Sequence, residues 1–323
     1  MSSSLCPRFG PSSSSPRRRR HYESMTLNII IPPRAAFDFG HILGYLERSG
    51  NECLYRIENH TITKLIPLLN DRVLIQAASQ PDGSLVIQCP ALKEPPDAAY
   101  SNAIAAYVRN WFDMDRDLRP FLAMAAQDAV LAGAARRFAG LRIVGIDDLF
   151  EALCWGIMGQ QINLAFAYTL KRRFVERYGA YAEWNGERYW AFPAPRDIAS
   201  IGHAELRDMQ FTGRKAEYVI GVAQLMAEGG LSRERLLALE DWAAIEQALI
   251  RIRGIGPWTA NYVLMRCLRM PAAFPIDDVG LHNALKHALG RDAKPTVAEI
   301  KSLSEPWGDW KAYATFYLWR LLY

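Results

Sequence analysis

From Met25 to about Pro90, apolar residues come in short β-branched or alternating runs. These are TLNIIIP, CLYRIE, RVLIQAAS and SLVIQC, separated by Pro, Asn, Asp and Gly. A period of two between turn-forming residues predicts strands that bury one face. One stretch of helical spacing, roughly Phe37 to Arg48, interrupts them. The segment KEPPDAA is a natural boundary, because paired prolines stop helices and strands alike. Beyond it the period becomes helical. AIAAYVRNWF, FLAMAAQDAVLAGAARRF, LFEALCWGIMGQQINLAFAYTLKRRFVERYG and KAEYVIGVAQLMAEG carry apolar stripes, and many such runs end at glycine. The pattern predicts an α+β chain in three parts. A Ser/Pro/Arg-rich leader (1–24) precedes a mostly antiparallel β domain with one helix (25–115) and a helical domain (116–323). There is no internal repeat.

One helical corner is unusual. DWAAIEQALIRI places Trp242, Ile245, Leu249 and Ile252 on one stripe, so a helix is expected to end near Ile252. After RGIGPW a second stripe runs through Ala260, Val263, Leu264, Cys267 and Leu268. Residues 241–268 are thus helix, tight hairpin, helix. Gly254 and Gly256 permit positive φ and close approach of another backbone. Pro257 suits the first turn of the second helix, whose free N–H groups attract an anion such as phosphate. A purely structural glycine-rich corner is the alternative.

Charge has to be located before it is used. The formal net charge of +4 comes from 38 basic and 34 acidic residues, but the leader holds five arginines and one acid. Removing it leaves 33 of each, so overall charge says almost nothing about the partner of the folded part. The leader has no periodicity and no apolar signal core, and reads as disordered. Its RRRR run either adds non-specific phosphate affinity or lies upstream of a start at Met25. The five cysteines are scattered singly, which argues against a zinc site, an iron–sulfur cluster or a disulfide framework. No membrane span is expected, because no apolar run reaches 18 residues. Cytoplasm or nucleoid fits best.

Downstream of the hairpin, FPIDDVGLHNALKHAL sets two adjacent acids, Asp277 and Asp278, before a short amphipathic helix. One acid there is explained as an N-cap; two are not. With this stretch the sequence resembles the helix-hairpin-helix DNA glycosylases, most closely the bacterial 3-methyladenine DNA glycosylase II (AlkA) type. The resemblance runs from about Leu149 to Tyr323 through the FEALCWGIMGQQINLAFAYTLKRRFVERYG, FTGRKAEYV, IRGIGPWTANY, FPIDDVGL and WGDWKAYATFYLWR segments, with a weaker likeness in the β domain.

The resemblance implies a helix-hairpin-helix glycosylase domain acting on double-stranded DNA with damaged bases. It makes Asp278 the catalytic carboxylate, with Leu281 and Ala284 in the apolar positions that follow the acid. It implies that the hairpin (Gly254, Ile255, Gly256, Thr259) binds a DNA phosphate. A monovalent cation, Na or K, would sit on the carbonyls of Ile250, Ile252 and Ile255, and no other cofactor is implied. Gln161 falls at the wedge position, where the family often has an apolar residue; a buried, satisfied amide is the competing reading. Trp258 stands where strand-cleaving relatives such as endonuclease III carry a Schiff-base lysine, and no lysine occurs between Lys215 and Lys286. The implied activity is therefore monofunctional, base removal by water from a positively charged N-alkylated purine of the 3-methyladenine or 7-methylguanine type, by a monomer.

Spacing supports an aromatic site. Trp258 and Tyr262 lie four apart and share a helix face. In the C-terminal helix Trp310, Tyr313 and Tyr317 form one stripe, while Phe316 and Trp319 lie on another. By resemblance Trp319 lines the base pocket; the other rings are expected in the core. Rings attract a cationic base by about 0.5–2 kcal/mol per contact. Alternatives are a glycosylase for oxidised or deaminated bases, or a non-catalytic helix-hairpin-helix DNA-binding protein, although the latter explains neither the second acid nor the rings. A two-acid metal nuclease lacks a third ligand at suitable spacing.

Overall fold

The computed structural model describes residues 28–68, 71–94 and 96–323; the leader lies outside them. Strands β1 (Ile29–Ile31), β2 (Tyr55–Glu58), β3 (Thr61–Leu68), β4 (Asp71–Ser79) and β5 (Leu85–Gln88) form one antiparallel sheet in the order β1-β5-β4-β3-β2. β3 is not among the four predicted strands. It pairs with β2 across a tight turn in which Asn59 and His60 both take positive φ. Helix α1 (Phe39–Leu46) starts at Asp38, whose carboxylate accepts the His41 N–H at 2.9 Å. It buries Phe39, Ile42, Leu43, Tyr45 and Leu46. Helix α2 (Ala98–Trp111) also falls within 25–115, so that segment holds two helices where one was expected.

The remaining helices are α3 (Arg119–Gln127), α4 (Ala132–Arg137), α5 (Leu149–Met158), α6 (Leu164–Tyr178), α7 (Pro195–Ile198), α8 (His203–Asp208), α9 (Gly213–Ala227) and α10 (Arg233–Leu237). They continue with α11 (Trp242–Ile250), α12 (Pro257–Arg266), α13 (Val279–Ala288), α14 (Val297–Leu303) and α15 (Lys311–Trp319). Two departures from expectation matter. The long apolar run 149–178 breaks into α5 and α6 around an exposed turn. The second part is also not all helical, since β6 (Tyr181–Trp184) and β7 (Glu187–Trp190) make a hairpin whose Tyr189 packs on Leu65 and Leu74 of the sheet.

One continuous core spans the sheet and the helices. α5 lies at its centre, buried at every position but Glu151, and packs on α9 and α12. Contact with α12 is close because of Gly156, where a Cβ would come within 2.4 Å of the Thr259 methyl. Arg142, 2% exposed, ties the two parts by donating to the carbonyls of Ala35, Ala36, Asp113 and Arg116. Of the rings expected in the core, Tyr313, Phe316 and Tyr317 are fully buried and Trp310 is half-buried. Cys53, Cys89, Cys154 and Cys267 are free thiols, and burial raises the pKa of each, Cys53 and Cys267 to about 12.

Charge is buried at the junction as well. The Lys171 ammonium sits 3.0 Å from Glu52 and 2.9 Å from Glu151. Beside them Asp148 caps α5, and desolvation lifts its pKa from 3.8 to about 6, with Glu151 adding to the rise. A carboxyl that binds its proton more tightly folded than unfolded costs stability increasingly as pH rises from about 4 to about 6. Asp148→Asn keeps the cap without that charge. It is expected to raise stability by about 1–2 kcal/mol at pH 7, and the gain is expected to vanish below about pH 4. Denaturant melts of both proteins across that range check this.

Candidate active site

The hairpin is built as the glycines require, though not by both in the same way. α11 ends at Ile250, two residues earlier than expected, and Gly254 takes a φ of +91° with the Tyr218 ring packed where a Cβ would stand. Its carbonyl accepts the Gln160 side chain at 2.9 Å. Gly256, by contrast, has a φ of −93° and open space around its missing Cβ. It caps α12, and the Trp258 and Thr259 amides stand in the first turn where no intrahelical acceptor exists. The Ile255 N–H is already used by the Ile252 carbonyl at 3.0 Å, and the Ile255 side chain is buried. Thr259 is 1% exposed, so its hydroxyl side chain belongs to the α5–α12 packing and only its backbone is left for a ligand. Gly256→Val is therefore expected to cost no more than about 1 kcal/mol of stability as a poorer cap, and to weaken binding to all duplexes alike, by about tenfold for one lost charge-assisted hydrogen bond. Gly254→Ala is expected to destabilise the fold instead, by about 1–3 kcal/mol. Binding titrations on undamaged and lesion duplexes, with melts, separate the two.

Between α5 and α6 the chain turns through Gln161, exposed and at a φ of +56°. The buried-amide reading of this residue does not hold. Its neighbours are fixed: Lys215 donates to the Met158 carbonyl at 2.8 Å, Gln160 holds the hairpin, and Asn163 caps α6 through the Phe166 N–H.

Asp278 is the N-cap of α13, accepting the Leu281 N–H on Oδ2 at 2.7 Å. The same oxygen accepts the Trp319 indole N–H at 2.8 Å, and Oδ1 accepts that of Trp258 at 2.9 Å. Three donors thus fix the carboxylate from three elements. Gly280 permits this, since a Cβ there would lie 2.8 Å from Oδ2 and 3.2 Å from the Trp319 nitrogen. Asp277 is exposed and its side chain has no partner among the described residues. The tryptophan–carboxylate bonds span 20 and 41 residues, and no local signal announces them.

The predicted aromatic residues converge. Tyr262 has its ring centroid 5.7 Å from Trp258 and 6.4 Å from Trp319. Behind Tyr262 a cavity of about 200 Å³ opens at the junction of the sheet and the helices. Asp278, Trp258 and Trp319 do not line it; Tyr262 belongs to both. Arg266 donates to the Tyr262 hydroxyl at 3.1 Å, and its guanidinium carbon is 5.5 Å from the ring centroid. Tyr262 already serves one cation, which the sequence did not reveal. Among the described residues, no group of three or more His, Cys, Asp or Glu converges on a metal-sized site, and no helix is long and apolar enough to cross a membrane.

The structure thus sets a glycine-turned helical hairpin beside a triply held carboxylate and a wall of rings. Residues 154–309 match the family described as "HhH-GPD superfamily base excision DNA repair protein". Residues 29–153 match "8-oxoguanine DNA glycosylase, N-terminal domain". The chain belongs to the HhH-GPD superfamily of base excision DNA repair proteins. It is 51% identical to the DNA-3-methyladenine glycosylase of Bacillus subtilis (strain 168), over 91% of this chain and 97% of that protein. It is 30% identical to DNA-3-methyladenine glycosylase 2 of Escherichia coli (strain K12), over 58% of this chain and 62% of that one. In fold it matches a 3-methyladenine DNA-glycosylase from Archaeoglobus fulgidus, with a TM-score of 0.78 at 21% identity over 90% of this chain and 97% of that one.

Proposed function

We propose that this protein is a monofunctional DNA glycosylase of base excision repair. It hydrolyses the N-glycosidic bond of flipped-out N-alkylated purines of the 3-methyladenine and 7-methylguanine type. The observation that carries the reading is Asp278, aimed by the indole N–H groups of Trp258 and Trp319, the same residues that flank Tyr262. Duplex DNA lies along the hairpin, whose first-turn amides take a phosphate, and the carbonyls of Ile250, Ile252 and Ile255 hold a Na or K ion. Gln161 fills the gap that the extruded nucleotide leaves. The base stacks on the rings. As its bond to the sugar lengthens, positive charge grows on the sugar, and the fixed Asp278 carboxylate stabilises it and orients the attacking water. An alkylated purine leaves without a general acid, because it already carries positive charge. Trp258 cannot form a Schiff base. Of the lysines near the cavity, Lys171 is held protonated by two glutamates. The protein acts as a monomer in the cytoplasm, on nucleoid DNA.

The N-terminal match to an 8-oxoguanine glycosylase domain favours a second reading, removal of oxidised guanine. Single-turnover excision on one duplex context, with methylated, oxidised or deaminated bases in turn, separates the two. The alkylated purines are expected to be released fastest. Release of 8-oxoguanine alone would replace the first reading by the second.

A further inference from the structure

The turn that carries Gln161 touches both the hairpin and the support of the Asp278 carboxylate. Met158 ends α5, and its carbonyl accepts the Lys215 ammonium at 2.8 Å; Lys215 is 6% exposed. At Gly159 a Cβ would stand 3.8 Å from Cη2 of Trp258, the indole that donates to Asp278 Oδ1. Gln160 donates Nε2 to the Gly254 carbonyl at 2.9 Å, across 94 residues of chain. Gln161 then stands exposed at a φ of +56°, and its side chain has no hydrogen bond among the described residues. On its far side Asn163 starts α6 as the N-cap.

A side chain that enters a base stack is pushed back, and the load falls on the backbone that carries it. Gln161 holds a left-handed conformation, which a glutamine keeps only where its flanks impose it. The flank on the α5 side is tied twice, to Lys215 in the helical core and to the hairpin through Gln160. Gly254 is itself fixed, since the Tyr218 ring packs where its Cβ would stand. The Gln160 bond thus joins the two places where the protein meets the strand. A misplacement of about 1 Å between groups that must act together is costly.

We propose that Gln160 is a positioning residue for base extrusion. Its bond to the Gly254 carbonyl sets the Gln161 wedge at a fixed distance from the phosphate that the hairpin holds, and so couples gripping the strand to opening the stack. The inference rests on the glycosylase reading above and on the wedge role it gives to Gln161. It adds a residue that acts through Gln161 and needs no contact with the extruded base.

Gln160→Met keeps the length of the side chain and loses the donor, whereas Gln160→Asn keeps the amide one methylene short of its acceptor. Gln161→Gly removes the wedge and keeps the positive φ. Single-turnover release of 7-methylguanine should be measured opposite cytosine, and opposite a mismatched adenine in the same context. The proteins are the wild type, these three variants and the double variant Gln160→Met with Gln161→Gly, each also titrated with undamaged duplex. An unpaired base costs less to extrude, so a defect in extrusion shrinks on the mismatched duplex. Both Gln160 variants should lose about tenfold on the paired lesion, the scale of one hydrogen bond, and about threefold or less on the mismatched one. Their binding to undamaged duplex should stay within about twofold of the wild type, because the hairpin amides are untouched. The double variant should be no slower than Gln161→Gly, since residues that act through one another are not additive. The two rates are compared within one protein, so a change in its folded fraction cancels. Equal losses on both duplexes, weaker binding to undamaged duplex, additive losses in the double variant, or no loss at all would each overturn the proposal. Gln161→Gly as fast as the wild type would remove the wedge role, and the proposal with it. A wild type that releases the base from neither duplex overturns the glycosylase reading as well.

Discussion

Asp278→Asn is expected to lower single-turnover excision of an alkylated purine by about 10²-fold or more, the scale of one lost preorganised electrostatic contact. The substitution removes charge and little volume. A single amide oxygen can keep the bonds now made by Oδ2, to the Leu281 N–H and the Trp319 indole, but its NH2 then meets the Trp258 indole N–H. Some loosening of Trp258 is therefore built into the variant, with a stability cost of about 1 kcal/mol. Lesion DNA should still bind, because the hairpin amides do not involve this group. Asp277→Asn is the control, since that residue is exposed and has no partner among the described residues; its excision and melting should be close to wild type. Loss of excision in Asp277→Asn with retention in Asp278→Asn would move the catalytic role by one residue. Full activity in both would remove the carboxylate mechanism.

Lys171→Met is expected to destabilise the protein by about 3–5 kcal/mol at neutral pH, because it leaves two carboxylates buried without their cation. Glu52 and Glu151 have side chains only 6% and 13% exposed. Burial alone would raise the pKa of Glu52, but the Lys171 ammonium and the Leu54 N–H outweigh it and hold it below its usual value. A depressed carboxyl pKa contributes stability above the unfolded value, near 4.5, and loses it as pH falls through the folded one. Without Lys171 that contribution reverses, so the deficit should be greatest at pH 7 and shrink towards pH 4, where Glu52 takes up its proton. Replacing all three with Glu52→Gln, Glu151→Gln and Lys171→Met should recover much of the loss. A single variant as stable as the wild type at pH 7 would mean that the ion triad does not hold the two parts together.

The sequence was most legible where chemistry is written locally. The glycines, the proline after them and the acid before α13 sit in short segments whose residue types have few other uses, and the structure brings Trp258, Tyr262, Trp319 and Asp278 into one place. It was least legible where distant residues meet. The indole bonds to Asp278 and the Lys171 triad join segments far apart in the chain, and no periodicity encodes them. The α5–α6 break escaped because GQQIN carries no proline and its turn is made by Gln161 at positive φ. β3 escaped for a similar reason, since Asn59 and His60 make its turn without a glycine. The β6–β7 hairpin is different: Asn185 and Gly186, both at positive φ, are a strong two-residue turn signal that the surrounding helical pattern obscured.

The account rests most directly on base removal without strand cleavage. A duplex with one 7-methylguanine should be incubated with excess protein, and both the free base and the strand followed, with and without borohydride. Release of 7-methylguanine is predicted, with a strand that stays intact until hot alkali breaks it at the abasic site and with no protein trapped on DNA. A strand broken without alkali together with a borohydride-trapped adduct, or no free base at all, would contradict the account.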